Sequence, residues 1–270
     1  MNNRGETYRV VSWNLRRAKS THPAWEILRE LDADIILLQE SGEIPDDLRQ
    51  AYNVYQTRPK RKNGKDQAFS TATLAKGSIT SVPANSKRSW TEVYFENLKG
   101  NLQFLNVTLF SGATLNLVNV YSPAWPIIPQ ADIAEDVAGF KLDSNKDIYA
   151  TEFLTEHLRN SISGLGTWLI GGDFNSSETF DTWQQKPRGN KEFMDRLELL
   201  HLRECLRGFN GLLVPTYFNA RSKRAEHQID HIYVSKNIYS NLRQCSVHFQ
   251  ERVLVNNLSD HFPIVADFAR

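Results

Sequence analysis

The stretch Trp168-Leu169-Ile170-Gly171-Gly172-Asp173-Phe174-Asn175 carries a short apolar run into two glycines and then into an acid and an amide. The run has the length and composition of a buried strand, and the glycines punctuate its end. An Asp and an Asn at that point can close a turn with side-chain hydrogen bonds, or they can be polar groups delivered to a sheet edge. The layout recurs along the chain. Val10-Val11-Ser12-Trp13 ends in Asn14, Ile35-Ile36-Leu37-Leu38-Gln39 in Glu40, and Leu117-Val118-Asn119-Val120 in Tyr121. Two other runs carry polar groups at their start instead: Asp230 and His231 open one, and Ser259, Asp260 and His261 open the last. A strand brings its C-terminal residues to the edge that an opposed strand reaches with its N-terminal residues. If the last two strands run opposite to the first four, all these side chains meet on one rim.

Working outward, Tyr8–Trp13, Asp34–Leu38, Thr71–Ala75, Trp90–Phe95, Leu102–Leu109, Thr114–Val120, Trp168–Gly171, Ile229–Val234 and Phe262–Phe268 read as strands, rich in branched and aromatic residues. Trp25–Leu31 reads as a helix announced by Pro23, and Ile148–Ile162 and Lys191–Leu200 place apolar residues on one face at helical spacing. Strands outnumber helices, which predicts an α+β fold of mixed sheets flanked by helices. Pro123–Asn145 has no clear element and is expected to be a surface loop near a site or an insertion. No repeat and no linker divides the chain, so one domain over residues 1–270 is expected.

The 270 residues include 32 Lys+Arg and 31 Asp+Glu, a formal net charge of +1, with 40% hydrophobic and 23% charged residues. That composition supports a large core and argues against disorder. It also excludes a protein that holds nucleic acid by overall charge alone. The apolar runs are far shorter than the roughly 20 residues of a membrane span. Met1–Arg9 lacks the apolar segment of a secretory signal, and two cysteines make no disulfide framework, so a cytoplasmic location is expected. Local charge is another matter. Arg58, Lys60, Arg61, Lys62 and Lys65 crowd one segment, and Arg221, Lys223 and Arg224 precede a strand. Such clusters are solvated loops unless they border an active cleft, where they would contact phosphates. Trp90, Trp125, Tyr217 and Phe218 are available for stacking on bases.

Taken singly, Asn14 is a turn residue, Glu40 a surface acid, Asp260 a turn cap and His261 a core histidine. Taken together they describe a site. Asn14, Glu40 and Asp260 offer hard oxygen ligands suited to Mg²⁺ or Mn²⁺, which takes one or two carboxylates plus a substrate phosphate. His261 paired with Asp230 would be a fixed imidazole that handles protons or contacts phosphate, and Asp173 and Asn175 would orient water and phosphate. No cysteine or histidine pair supports zinc, no glycine-rich loop followed by Lys supports a P-loop, and no serine sits in a nucleophile elbow.

From Ser12-Trp13-Asn14 to Ser259-Asp260-His261-Phe262-Pro263, with Gly172-Asp173-Phe174-Asn175 and Ile229-Asp230-His231-Ile232 between, the chain resembles the endonuclease/exonuclease/phosphatase superfamily of metal-dependent phosphodiesterases related to pancreatic deoxyribonuclease. The resemblance implies a four-layered sandwich, two mixed sheets packed face to face and flanked by helices, with the site at one edge. It implies Glu40 as principal metal ligand with Asn14 and Asp260 nearby, Asp173 and Asn175 positioning water and phosphate, His261 oriented by Asp230, and Tyr121 facing the phosphate. Two departures bear on the branch. Tyr121-Ser122-Pro123 is followed by Ala124 where abasic-site repair members have Asn, and Arg16 stands where they place an acid. Residues 14 and 16 of a strand end share a face, so Arg16 is expected to bring a cation toward the phosphate. The 5-phosphatase signature Trp-Cys-Asp-Arg is Gln228-Ile229-Asp230-His231 here. The expected activity is metal-dependent hydrolysis of phosphodiester bonds in DNA or RNA by in-line attack of water. The alternative is a phosphatase or phosphodiesterase acting on phospholipid headgroups or small phosphorylated molecules. Nucleic acid is the expected partner and a monomer the default state.

Overall fold

The structure, a computed structural model, describes residues 7–162, 166–183 and 188–270; the first six residues of the polar start read at Met1–Arg9 lie outside them. Inward and outward side chains alternate along each central strand, and both sets are apolar, because each strand is covered on both faces. The first sheet contains β1 (Thr7–Ala18), β2 (Ile35–Ser41), β3 (Asn53–Thr57), β4 (Ser70–Ala75), β13 (Leu242–Val247) and β14 (Ile264–Ala269), in the order β13-β14-β1-β2-β4-β3. The second contains β5 (Gly77–Ser81), β6 (Leu102–Leu109), β7 (Thr114–Tyr121), β8 (Trp168–Asp173), β9 (Leu202–Glu204) and β12 (Asp230–Ser235), in the order β5-β6-β7-β8-β12-β9. A two-stranded hairpin, β10 (Tyr217–Asn219) with β11 (Arg224–His227), stands beside them.

Three apolar layers follow from the alternation. Val10, Ile35, Leu37 and Ala266 of the first sheet meet Leu117, Leu169 and Ile232 of the second between the sheets. Val11, Trp13, Ile36 and Leu38 face the other way, against Trp25, Ile27 and Leu28 of α1 (Ala24–Leu31). On the opposite side, Phe104, Val118 and Ile170 pack under α3 (Glu92–Leu98), α4 (Ala150–Ser161) and the helix Asn190–Leu199, while α2 (Asp46–Ala51) precedes β3. Helix, sheet, sheet and helix make the four-layered α+β sandwich that was expected. No helix among the described residues is long and apolar enough to cross a membrane.

One assignment from sequence is corrected. Trp90–Phe95 is not a strand: a 3₁₀ turn at Ser89–Thr91 leads into α3. Trp90, Tyr94, Phe95 and Leu98 recur at helical rather than alternating spacing and pack on Phe153 and the layer around it, whereas Val93 between them is 60% exposed. Trp90 is thereby committed to rings at Phe140 and Phe153 and is not free to stack on a base. Several short elements carried no strong sequence signal, among them β3, β5, β9 and the β10–β11 hairpin.

Strand direction decides where the polar ends go. β1 and β2 are parallel, as are β7 and β8, with Asn14 opposite Gln39 and Tyr121 opposite Asp173. β12 runs antiparallel to β8 with Asp230 opposite Asp173, and β14 runs antiparallel to β1. The last two runs therefore oppose the first four, and their starts reach the edge where the others end. Gly172 makes β8 fit: its φ is +143°, and a Cβ there would lie 2.0 Å from the Val120 carbonyl oxygen.

Candidate active site

At that shared edge the buried Asp173 carboxylate is held from three directions. The Asn14 Nδ2 donates to its Oδ2 at 3.0 Å, the Asn175 backbone N–H donates to its Oδ1 at 2.9 Å, and His261 Nε2 lies 4.0 Å from Oδ2. Asn175 also donates from Nδ2 to the Ser122 carbonyl at 2.7 Å, which ties the end of β8 to the loop after β7. His261 donates from Nδ1 to Asp230 at 2.9 Å, and both groups are buried. Tyr121 donates from its hydroxyl to Glu40 Oε1 at 3.1 Å. Arg17 Nε stands 3.6 Å from the other Glu40 oxygen, and Arg16 Nε stands 4.0 Å from Asp260 Oδ1. The residues that the sequence singled out for chemistry thus lie along this edge in two groups, one around Asp173 and His261 and one around Glu40 and Tyr121, set side by side by the register of Tyr121 with Asp173 and reached from β1, β2, β7, β8, β12 and the turn before β14.

The electrostatics of the cluster divide labour. Burial works against the His261 cation, but the charges of Asp230 and Asp173 and the hydrogen bond to Asp230 overcome it and raise the imidazole from 6.5 to about 10. Asp173 is pushed up from 3.8 to about 7, by burial first and the Asp230 charge in addition, against the lowering effects of His261 and Asn14. The Tyr121 hydroxyl is raised well above its ordinary value by burial and the Glu40 charge, so it remains a proton donor. A carboxylate poised near neutrality beside an imidazolium is a base and a cation in one place.

The geometry also gives roles to residues for which the sequence reading had none. Ser259 donates to the Asn14 carbonyl at 2.7 Å and accepts from the His261 N–H at 3.1 Å, pinning the last turn to β1. The Trp13 indole donates to the His261 carbonyl at 2.9 Å. The Thr216 hydroxyl accepts from the backbone N–H groups of Ile229 and Asp230 and so fixes the start of β12. Beneath the rim, Gln39 Nε2 donates to Asn119 Oδ1 at 2.8 Å, and Asn119 Nδ2 reaches the Ala72 carbonyl and Thr73 Oγ1. Gln39 and Asn119 continue the inward parity of Leu37 and Leu117, which was the available signal. Polar residues at inward positions one and two places before Glu40 and Tyr121 mark where the sandwich core turns into the site. His231, in contrast, is structural: its Nε2 pairs with the Ser176 carbonyl and its Nδ1 with Gln228.

The 58–65 segment is followed, and the 221–224 segment preceded, by a ring that reaches the rim. The 58–65 loop returns through Phe69, whose ring meets Tyr121 edge-on at 5.4 Å and lies under Arg17 at 5.3 Å. Arg221, Lys223 and Arg224 sit at the tip of the β10–β11 hairpin, whose Tyr217 ring is 5.2 Å from His261 and whose Phe218 N–H donates to the Asp260 carbonyl. Phe218 itself packs partly into the layer around Trp13. The Pro123–Asn145 stretch holds one 3₁₀ turn, at Gln130–Asp132, and its two ends, with Phe174, Asn175 and Phe193, wall a cavity of about 280 Å³.

The family model described as Endonuclease/Exonuclease/phosphatase family matches residues 11–261. The chain belongs to that family. No curated protein matches it by sequence. Among solved structures, it is similar to an AP endonuclease from Archaeoglobus fulgidus at 18% identity, covering 97% of this chain and 99% of that one, with a TM-score of 0.67. It is similar to the 3′ phosphatase NExo from Neisseria, bound to a product DNA hairpin, at 19% identity, with 97% and 99% covered and a TM-score of 0.66. The catalytic domain of Xenopus laevis APE2 is a further likeness at 19% identity, with 97% and 92% covered and a TM-score of 0.62. At these identities the solved structures establish the endonuclease/exonuclease/phosphatase fold.

The family's use of divalent metals can be tested against the donors present. Glu40 and Asp260 are hard oxygen donors with side chains 20% and 34% exposed. Either carboxylate fits an ion that keeps waters and shares a phosphate. Among the described residues, Asp173, Asp230 and His261 form a second grouping, with ligand atoms within 4.8 Å of one another. There the Asp230–His261 hydrogen bond already occupies Nδ1, and Asn14 and the Asn175 N–H occupy Asp173. The donor chemistry therefore fits a divalent ion at Glu40 better than one inside the buried trio.

Proposed function

We propose that this chain is a Mg²⁺- or Mn²⁺-dependent hydrolase that cleaves phosphodiester bonds of DNA or RNA by in-line attack of water. The observation that carries the reading is the Asp230–His261–Asp173–Asn14 chain of buried polar contacts at the edge that also holds Glu40 and Tyr121. Asp173, with its proton affinity near neutrality, takes the proton of the attacking water, and Asn175, locked to Asp173, aligns that water with a non-bridging oxygen. His261, held as a cation by Asp230, faces the charge that grows on the phosphoryl group. Tyr121 donates toward the same oxygens from the Glu40 side, and Arg16 adds a fixed positive charge. A divalent ion bound at Glu40, with Asp260 and the Asn14 side-chain oxygen as further donors, would polarise a phosphoryl oxygen and offset charge on the leaving oxygen.

Support for a polynucleotide comes from the two basic segments, each a few residues along the chain from a ring at the rim, Phe69 and Tyr217. The small cavity beside Asn175, walled by Phe174, Phe180 and Phe193, favours the second reading, a small phosphorylated molecule. A side-by-side screen with Mg²⁺ and Mn²⁺ separates them. It uses plasmid, single-stranded DNA, RNA, abasic and 3′-phosphate duplexes, phosphoinositides and sphingomyelin. Cleavage of a polynucleotide that stops in EDTA and falls roughly 10²–10⁴-fold in Asp173→Asn is expected. Turnover of headgroups with every polynucleotide intact would overturn the nuclease reading.

A further inference from the structure

The 58–65 loop and the stretch after Tyr121 enclose a second cleft, of about 430 Å³, that the catalytic cluster does not use. Its wall includes Lys60, Arg61, Lys62, Tyr94, Asn101 and Trp125, and Asp132 is its one acid. Lys60 is paired with Asp66 at 2.5 Å, whereas neither Arg61 nor Lys62 has an acidic partner within 4.0 Å among the described residues. Lys62 instead stands over the Trp125 ring, 6.0 Å from its centroid. An aromatic face topped by an unneutralised cation suits a planar π-system joined to an anion, because the ring stacks while the cation meets the charge.

The cleft is mechanically joined to the site. Pro123 lines both this cleft and the cavity beside Asn175. The Tyr121 N–H donates to the Asn101 carbonyl at 2.7 Å, and Asn101 Nδ2 donates to the Tyr121 carbonyl at 2.9 Å. A strand whose scissile phosphate lies against Asp173 and His261 would thus pass Tyr121 and Pro123 on its way to Trp125. Resting on the phosphodiesterase reading above, we propose that this cleft is a stacking subsite for a base of single-stranded polynucleotide, with Trp125 taking the base and Arg61 and Lys62 the flanking phosphates.

The test is binding of a fluorescein-labelled single-stranded DNA pentamer in EDTA, read by anisotropy, to the full chain and its variants. Trp125→Ala is expected to weaken binding roughly 5- to 100-fold, the loss of one base stack, while Trp125→Phe retains most of it. Lys62→Gln is expected to reduce the slope of log affinity against log salt by about 0.7. A pentamer of abasic sugar phosphates, equal in charge, should bind the native protein and Trp125→Ala alike. Equal binding of the base-bearing pentamer by native protein and a Trp125→Ala variant of native thermal stability would overturn the proposal. So would equal affinity of the native protein for the two pentamers, or Trp125-dependent binding to phosphoinositide vesicles without pentamer binding. Hydrolysis of bis(p-nitrophenyl) phosphate with Mn²⁺, expected to be unchanged in Trp125→Ala, judges the phosphodiesterase reading separately.

Discussion

Replacing Asp230 by Asn removes one charge and one hydrogen-bond acceptor from a buried imidazole 2.9 Å away while preserving size. At an effective dielectric of about 20, opposite unit charges at that separation attract by roughly 5–6 kcal/mol, or about 10⁴ in proton affinity. His261 would then titrate not at about 10 but at roughly 6. In the native protein Asp173 acts as its anion and His261 as its cation. Activity should therefore rise as pH passes about 7 and fall as it passes about 10, with the two limbs belonging to the coupled pair. In Asp230→Asn the alkaline limb moves down by several pH units. The acid limb moves up, because the His261 cation lowers Asp173 by more than the Asp230 anion raises it. The bell collapses, and at pH 8 kcat/KM should fall roughly 100-fold from loss of the imidazolium alone. The assay is kcat/KM for bis(p-nitrophenyl) phosphate across pH 5.5–10.5, paired with an NMR titration of ¹³C-labelled histidine. An alkaline limb and a His261 resonance that both stay at their native positions in Asp230→Asn would refute the charge argument.

Arg17 opposes cation binding at Glu40 from 3.6 Å with a largely exposed side chain, so Arg17→Ala should tighten Mn²⁺, measured by electron paramagnetic resonance, by roughly fivefold; weaker binding would show that Arg17 supports the ligand instead. Asn119→Leu strands Gln39 Nε2 between the sheets, while Thr73 keeps its bond to Gln103, and should cost about 1–3 kcal/mol, seen as a fall in Tm. A Tm equal to the native value would mean that the network adds nothing. Burial raises Glu152 at the start of α4 from 4.5 to about 7. That contribution to stability is complete below pH 4.5 and is lost as pH rises through 7, by up to roughly 3 kcal/mol. Glu152→Gln should accordingly flatten the dependence of urea midpoint on pH between 5 and 8, and an unchanged slope would place the titration elsewhere.

The rim was legible because strands are short, apolar and alternate with period two, so a polar residue at a strand end stands out against Ile35–Leu38 or Trp168–Ile170. Glu40, Tyr121, Asp173, Asp230 and His261 could each be placed at an end from local pattern alone, whereas Asn14 stands inside β1, which runs on to Ala18, where its register with β2 shifts. The α3 segment was misread since Trp90, Tyr94 and Phe95 have the composition of a strand, and only their packing on Phe153 shows the helical period. Thr216 gave no signal at all, because an isolated threonine in a loop acquires its role only when Asp230 is brought against it.

The chain's own pattern determined that mixed sheets flanked by helices would form and that carboxylates, amides and an imidazole would sit near strand ends, since periodicity and side-chain type are local properties. Which of those ends touch was decided by tertiary structure alone. The Asp173–Asn14 bond spans 159 residues and the Asp230–His261 bond 31, and their geometry depends on strand order and register. The proton affinities of Asp173 and His261, the commitment of Trp90 to the core and the meeting of Lys62 with Trp125 follow from that packing, because burial and charge proximity exist only once distant segments are in contact.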